Sequence, residues 1–143
     1  MRLLRITLGT ALVSMLVTGF ALGDLPETST APKLAETDIN VDEMVFCAAV
    51  KDRNPVGVAD TFPADIYSLY CFTTIAGAKD TTAVRHRWHW AGRTMADVEL
   101  PVRSSHWRTW SRKRMLPAWR GEWKVDIITA DSVVIESKTF VLK

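Results

Sequence analysis

After residue 23 the chain has no apolar run long enough to cross a membrane. It has no glycine-rich phosphate loop, no Ser–His–Asp order and no paired-carboxylate motif, so the familiar nucleotide-binding and hydrolytic signatures are missing. It has no sustained 3.6-residue apolar period, which argues against helices. No cysteine lies near residue 23, so a lipid-anchored product is not indicated. Only two cysteines, Cys47 and Cys71, and three histidines, His86, His89 and His106, offer metal or thiol chemistry.

What is present begins with a secretory layout. Arg2 and Arg5 precede the uncharged run ITLGTALVSMLVTGFALG, and Ala21 and Gly23 are small residues before a cut at Asp24. Residues 1–23 read as a signal peptide, and any membrane contact is confined to that segment if it stays uncleaved. The expected location is the periplasm. Residues 24–40, DLPETSTAPKLAETDIN, are rich in Pro, Thr and acids and read as a flexible linker. A folded domain is then expected over residues 41–143, enough for one two-layer core. In an exported chain Cys47 and Cys71 are expected to form a disulfide, worth about 3–4 kcal/mol by loop closure.

Charge is balanced overall and uneven locally. Eighteen Lys and Arg, less Arg2 and Arg5, leave sixteen against sixteen Asp and Glu. Asp24 to Glu43 holds six acids and one Lys, whereas Arg85 to Arg120 holds nine Arg and Lys and two acids. All six tryptophans lie between Trp88 and Trp123. Such a local basic, aromatic face suits anions or sugars better than bulk nucleic acid, and no nucleic-acid partner is expected.

The segments MVFCAAV, IYSLYCFTTI, TAVRHRWHW, TMADVELPV, HWRTWSR, EWKVDIIT, VVIES and KTFVLK read as short strands. KDRNPVGVADTFPAD reads as a loop, and Ala91-Gly92 and Ala130–Ser132 as turns. The fold expected is an all-β antiparallel sandwich of about seven to eight strands, immunoglobulin- or fibronectin-III-like. Antiparallel pairing of the first two strands would let Cys47 and Cys71 face each other.

Alternate residues of a strand share a face. His86, Trp88 and Trp90 therefore oppose Arg85, Arg87 and His89. Trp107, Thr109, Ser111 and Lys113 oppose His106, Arg108, Trp110 and Arg112. Arg108–Trp110–Arg112, extended by Arg85 and Arg87, reads as a cation–π ladder, each layer worth about 0.5–2 kcal/mol. It also reads as a ligand face that can coexist with the ladder, with Arg85, Arg87, Arg108, Trp110, Arg112 and Lys113 as contact candidates. Asp97 and Glu99 are placed to pair with Arg85 or Arg87 across a hairpin. Trp107-x-x-Trp110-Ser111 is similar in part to the Trp-Ser-x-Trp-Ser motif of cytokine-receptor fibronectin-like domains, with Arg108 in place of the first Ser.

RHRWHW, VELPV, WRTWSRK, GEWKVDI and FVL, in this order over Met44 to Lys143, resemble a bacterial family known as domain of unknown function 2914. Its expected Asp-Gly turn is replaced at Ala130–Ser132. The resemblance implies an exported or envelope-associated β-domain and brings no activity, cofactor or partner. The sequence thus points to a non-catalytic binding module without cofactor, touching an anionic or sugar-containing envelope component. Its rivals are an assembly subunit that docks an envelope protein, and, weakest, a metalloenzyme built on His86, His89 and His106.

Overall fold

The computed structural model describes residues 38–143. The expected signal peptide, and all but the last three residues of the expected linker, lie outside them. Nine strands follow in chain order: β1 (Asn40–Lys51), β2 (Asn54–Val58), β3 (Thr61–Phe62), β4 (Ser68–Ala76), β5 (Thr82–Trp90), β6 (Arg93–Val102), β7 (His106–Arg114), β8 (Gly121–Thr129) and β9 (Val134–Leu142). They form a four-stranded sheet, β2-β1-β4-β7, and a five-stranded sheet, β3-β9-β8-β5-β6. All pairings are antiparallel except the short β3–β9 pair.

The alternation read from the sequence sorts side chains as expected. Along β5, Val84, His86 and Trp88 are buried, while Arg85, Arg87 and His89 are partly exposed. Along β7, Thr109 and Ser111 are buried, while His106, Arg108 and Arg112 are exposed. The core between the sheets is aromatic and centres on Phe140. Phe46 lies 4.6 Å from it, Trp123 stacks at 5.9 Å, and Trp88 and Phe62 meet it edge-on at 6.0 and 6.1 Å. Such offset and edge-to-face contacts add to the apolar burial of each ring.

The segment read as a loop, Lys51 to Asp65, contains β2 and β3. Pro55 is compatible with β2 because β2 is an edge strand, where a missing N–H costs no ladder bond. The turn before it is made by Asp52 and Arg53, both left-handed at φ 48° and 59°. Two such residues give the turn twist that suits a hairpin. The β5–β6 turn at Ala91 and Gly92 has the same form, at φ 48° and 73°. In the β8–β9 turn Ser132 takes the left-handed position, at φ 64°.

The β1–β2 hairpin does more than end a sheet. β1 pairs with β4 only as far as Cys47, and beyond that with β2 alone. Its tip nonetheless reaches β7: Arg53 donates to the Arg108 carbonyl at 3.3 Å, and Arg108 donates to Asn54 Oδ1 at 3.3 Å. β2 and β7 are opposite edges, so the hairpin must fold across one face of the sheet. Arg108 and Trp110 point away from the core, which identifies the outer face. This roof explains why Cys47 and Phe72, which face away from the core, are 0% and 1% exposed.

The expected disulfide is absent: Cys47 and Cys71 are both buried free thiols. β1 and β4 do pair antiparallel, but Cys71 is opposite Phe46 and Cys47 is opposite Tyr70. That one-residue offset sends the two side chains to opposite faces of the sheet. Cys71 enters the core and Cys47 lies beneath the roof. Thiol titration of the denatured, unreduced full chain is therefore expected to find two reactive thiols, and reductant is expected to leave the thermal midpoint of the native protein unchanged. A reductant-dependent midpoint would mean that the pair is bridged.

Candidate functional site

At the centre of the molecule a chain of polar side chains joins the two sheets. The Thr73 hydroxyl of β4 donates to the Thr109 carbonyl of β7 at 3.1 Å, which leaves its oxygen to accept from His86 Nε2 at 3.2 Å. His86 therefore carries its proton on Nε2, and its bare Nδ1 accepts from the Ser111 hydroxyl at 2.8 Å. The Ser111 oxygen in turn accepts from Trp88 Nε1 at 3.0 Å. The order is Trp88 to Ser111 to His86 to Thr73 to the Thr109 carbonyl, and each donor has an acceptor. Thr73, Ser111 and His86 are at most 2% exposed. Burial lowers the pKa of His86 to about 3, so the ring is neutral at physiological pH.

The six residues expected to share one ligand face do not. Arg85 and Arg87 are on β5 and the other four on β7, in different sheets. Arg87 and Arg85 share Asp97, at 2.9 and 3.7 Å, the cross-hairpin pairing expected. Trp110 stacks on Phe72, rings 5.9 Å apart and 11° from parallel. The cation over Trp110 is Arg53 of the hairpin tip, 5.9 Å from Trp110 and 5.5 Å from Trp107, where Arg108 and Arg112 were expected. Lys113 points inward, 4.6 Å from the Trp119 ring, and donates to the Arg114 carbonyl at 3.0 Å. Burial and then the charge of Arg114 hold its ammonium below the ordinary lysine value.

The expected ladder is thus dismantled into smaller contacts, and the outer row of β7 remains. Arg112 and Arg114 are exposed and lie 5.9 and 5.3 Å from the ring of Tyr67, itself 61% exposed. Among the described residues no carboxylate pairs with Arg108, Arg112 or Arg114. Arg114 was one alternation step beyond the row read from the sequence. Tyr67 and Arg53 carried no local signal, because only the tertiary fold brings them to β7.

Residues 81–142 match the family model described as protein of unknown function (DUF2914). The match is narrower than the Met44 to Lys143 resemblance, and it spans β5 to β9. No curated protein matches the chain. Among solved structures, a β-glucosidase from Kluyveromyces marxianus is similar at TM-score 0.42 and 8% identity, over 74% of this chain and 14% of that one. A likeness of that size, over so small a share of the enzyme, carries no argument about activity.

The matched segment also holds a second cluster of titratable groups. His89 Nε2 donates to Asp126 Oδ2 at 2.8 Å, and the Ser137 hydroxyl donates to Asp126 Oδ1 at 2.5 Å. Burial alone would raise the Asp126 carboxyl; those two hydrogen bonds and the Lys124 charge outweigh it and hold the group below its ordinary value. The carboxylate stands between serine and histidine. Nucleophilic activation needs the histidine in that middle place, so this trio lacks the arrangement of a hydrolase. The cleft beside it, about 530 Å³, is lined by His89, Trp90, Glu122 and Lys124 among others, and is open and shallow. His86 is in the core, His89 on the outer face of the five-stranded sheet and His106 exposed at the start of β7, so the three imidazoles do not converge.

Two expectations follow for the core. Ser111→Ala strips the partner from both Trp88 Nε1 and His86 Nδ1, and should cost about 3 kcal/mol in urea unfolding. Between pH 6.5 and 4.5 the unfolded chain takes up a proton that folded His86 refuses, so stability falls as pH falls. The loss should be about 2 kcal/mol over that window, from a limit of about 1.4 kcal/mol per pH unit. His86→Gln, neutral throughout, should remove that slope; equal slopes in both proteins would place a charged imidazole in the core.

Proposed function

We propose that this protein is an exported, non-catalytic binding module whose β7 outer row holds an anionic group of a sugar-containing envelope component. One observation carries the reading. Arg85 and Arg87 of β5 share one carboxylate partner, Asp97, whereas the arginines of β7 have none among the described residues. An Arg fork is suited to oxyanions, and an unpaired one on the surface keeps its donors available. Arg108 is engaged with Asn54, so Arg112 and Arg114 are the contact residues. The Trp-rich remainder of the basic stretch supports the fold that presents them.

Heparin resin tests this with the full chain. Wild type should be retained at low salt and released as salt rises through about 0.15 M, since exposed charge contacts are screened there. The double variant Arg112→Ala/Arg114→Ala should lose at least about tenfold in affinity, as expected for two charge-assisted contacts. Its unfolding free energy should stay within about 1 kcal/mol of wild type, because both side chains are exposed. Equal retention of variant and wild type would remove the β7 row from the reading.

A further inference from the structure

The β7 row contains a more selective arrangement than a line of charges. The guanidinium carbons of Arg112 and Arg114 both lie over the Tyr67 ring, within 6 Å of its centre, and Tyr67 is the most exposed of the large apolar side chains among the described residues. The backbone fixes this meeting. Ser68 is in register with Arg114, and the Met115 amide donates to the Tyr67 carbonyl at 2.9 Å, so the start of β4 is fastened to the end of β7. Arg112 and Arg114 are two residues apart on one strand and point the same way. Both guanidinium groups are therefore gathered over one aromatic ring, with no acid paired to either among the described residues.

A single carboxylate satisfies one fork. Two forks match a group with three terminal oxygens and a charge near −2, which is a phosphate monoester. At 61% exposure the Tyr67 ring keeps apolar surface beyond the two guanidinium groups, of the kind a sugar ring covers. The local potential is already felt nearby: the charge of Arg114 adds to burial in lowering the Lys113 ammonium. We infer that Tyr67, Arg112 and Arg114 form a binding site for a phosphorylated sugar, the phosphate on the two arginines and the sugar ring on Tyr67. This rests on the reading of β7 as the anion-binding row and names the ligand that the row selects.

Titration calorimetry of the full chain at low salt, with glucose 6-phosphate, glucuronate and inorganic phosphate as probes, tests it. Glucose 6-phosphate should bind at least about tenfold more tightly than glucuronate, the gain of a second charge-assisted fork. Tyr67→Ala should weaken glucose 6-phosphate about fivefold and leave inorganic phosphate unchanged. Arg114→Ala should weaken both phosphates about tenfold. Glucuronate binding as well as glucose 6-phosphate, or an unaltered affinity in Tyr67→Ala, would overturn the site while heparin retention still stood. Loss of heparin binding in wild type itself would overturn the broader reading, and a urea curve for each variant separates lost binding from lost fold.

Discussion

The hydrogen-bond chain from Trp88 to the Thr109 carbonyl is the constraint on which the sandwich depends. An apolar core alone would hold two sheets face to face over a range of offsets, because hydrophobic attraction has no direction. A buried donor without an acceptor, in contrast, is costly, so a fully satisfied chain between the sheets admits one alignment. His86 must meet Thr73 on β4 and Ser111 on β7 at once. That fixes β5 against both strands and, through their pairings, the register of the whole molecule.

This constraint also settles what the tryptophans and arginines of the basic stretch do. Trp88 and Trp123 fill the core, and Trp90, Trp107 and Trp119 pack against its margin. Trp110 is covered by Arg53 on the outside. The stretch that looked like one binding surface is therefore mostly scaffold with a narrow exposed strip at the end of β7. The inner residues of that strand align the sheets, and the outer residues Arg108, Arg112 and Arg114 are left exposed. Alternation lets one short segment do both.

Much of this was legible in the sequence because strand alternation is a local property. The grouping of His86 with Trp88 against Arg85 and Arg87, the grouping of Arg108 with Arg112, and the Arg87–Asp97 pairing all follow from it; which face of β7 is exposed does not. What was not legible depends on register and on distant contacts. The Cys47–Cys71 bridge failed by one residue of register, which no composition rule can supply. The assembly of Arg85 and Arg87 with the β7 row failed because the two strands entered different sheets. The β1–β2 hairpin was hidden by Pro55 and Gly57, which read as loop residues until β2 is seen to be an edge strand. Tyr67 and Arg53 are remote in sequence from the residues they touch.

The caps along β7 have a consequence for self-association. β7 is an edge, and an edge of nine residues would ordinarily offer a row of free carbonyls to any passing strand. Here Ser104 donates to the His106 carbonyl, Arg53 to that of Arg108 and Lys113 to that of Arg114. An incoming strand would have to displace these donors and also approach a line of uncompensated positive charge. Pairing along this edge would therefore cost those three hydrogen bonds, while Arg112 and Arg114 stay accessible to solvent beside it.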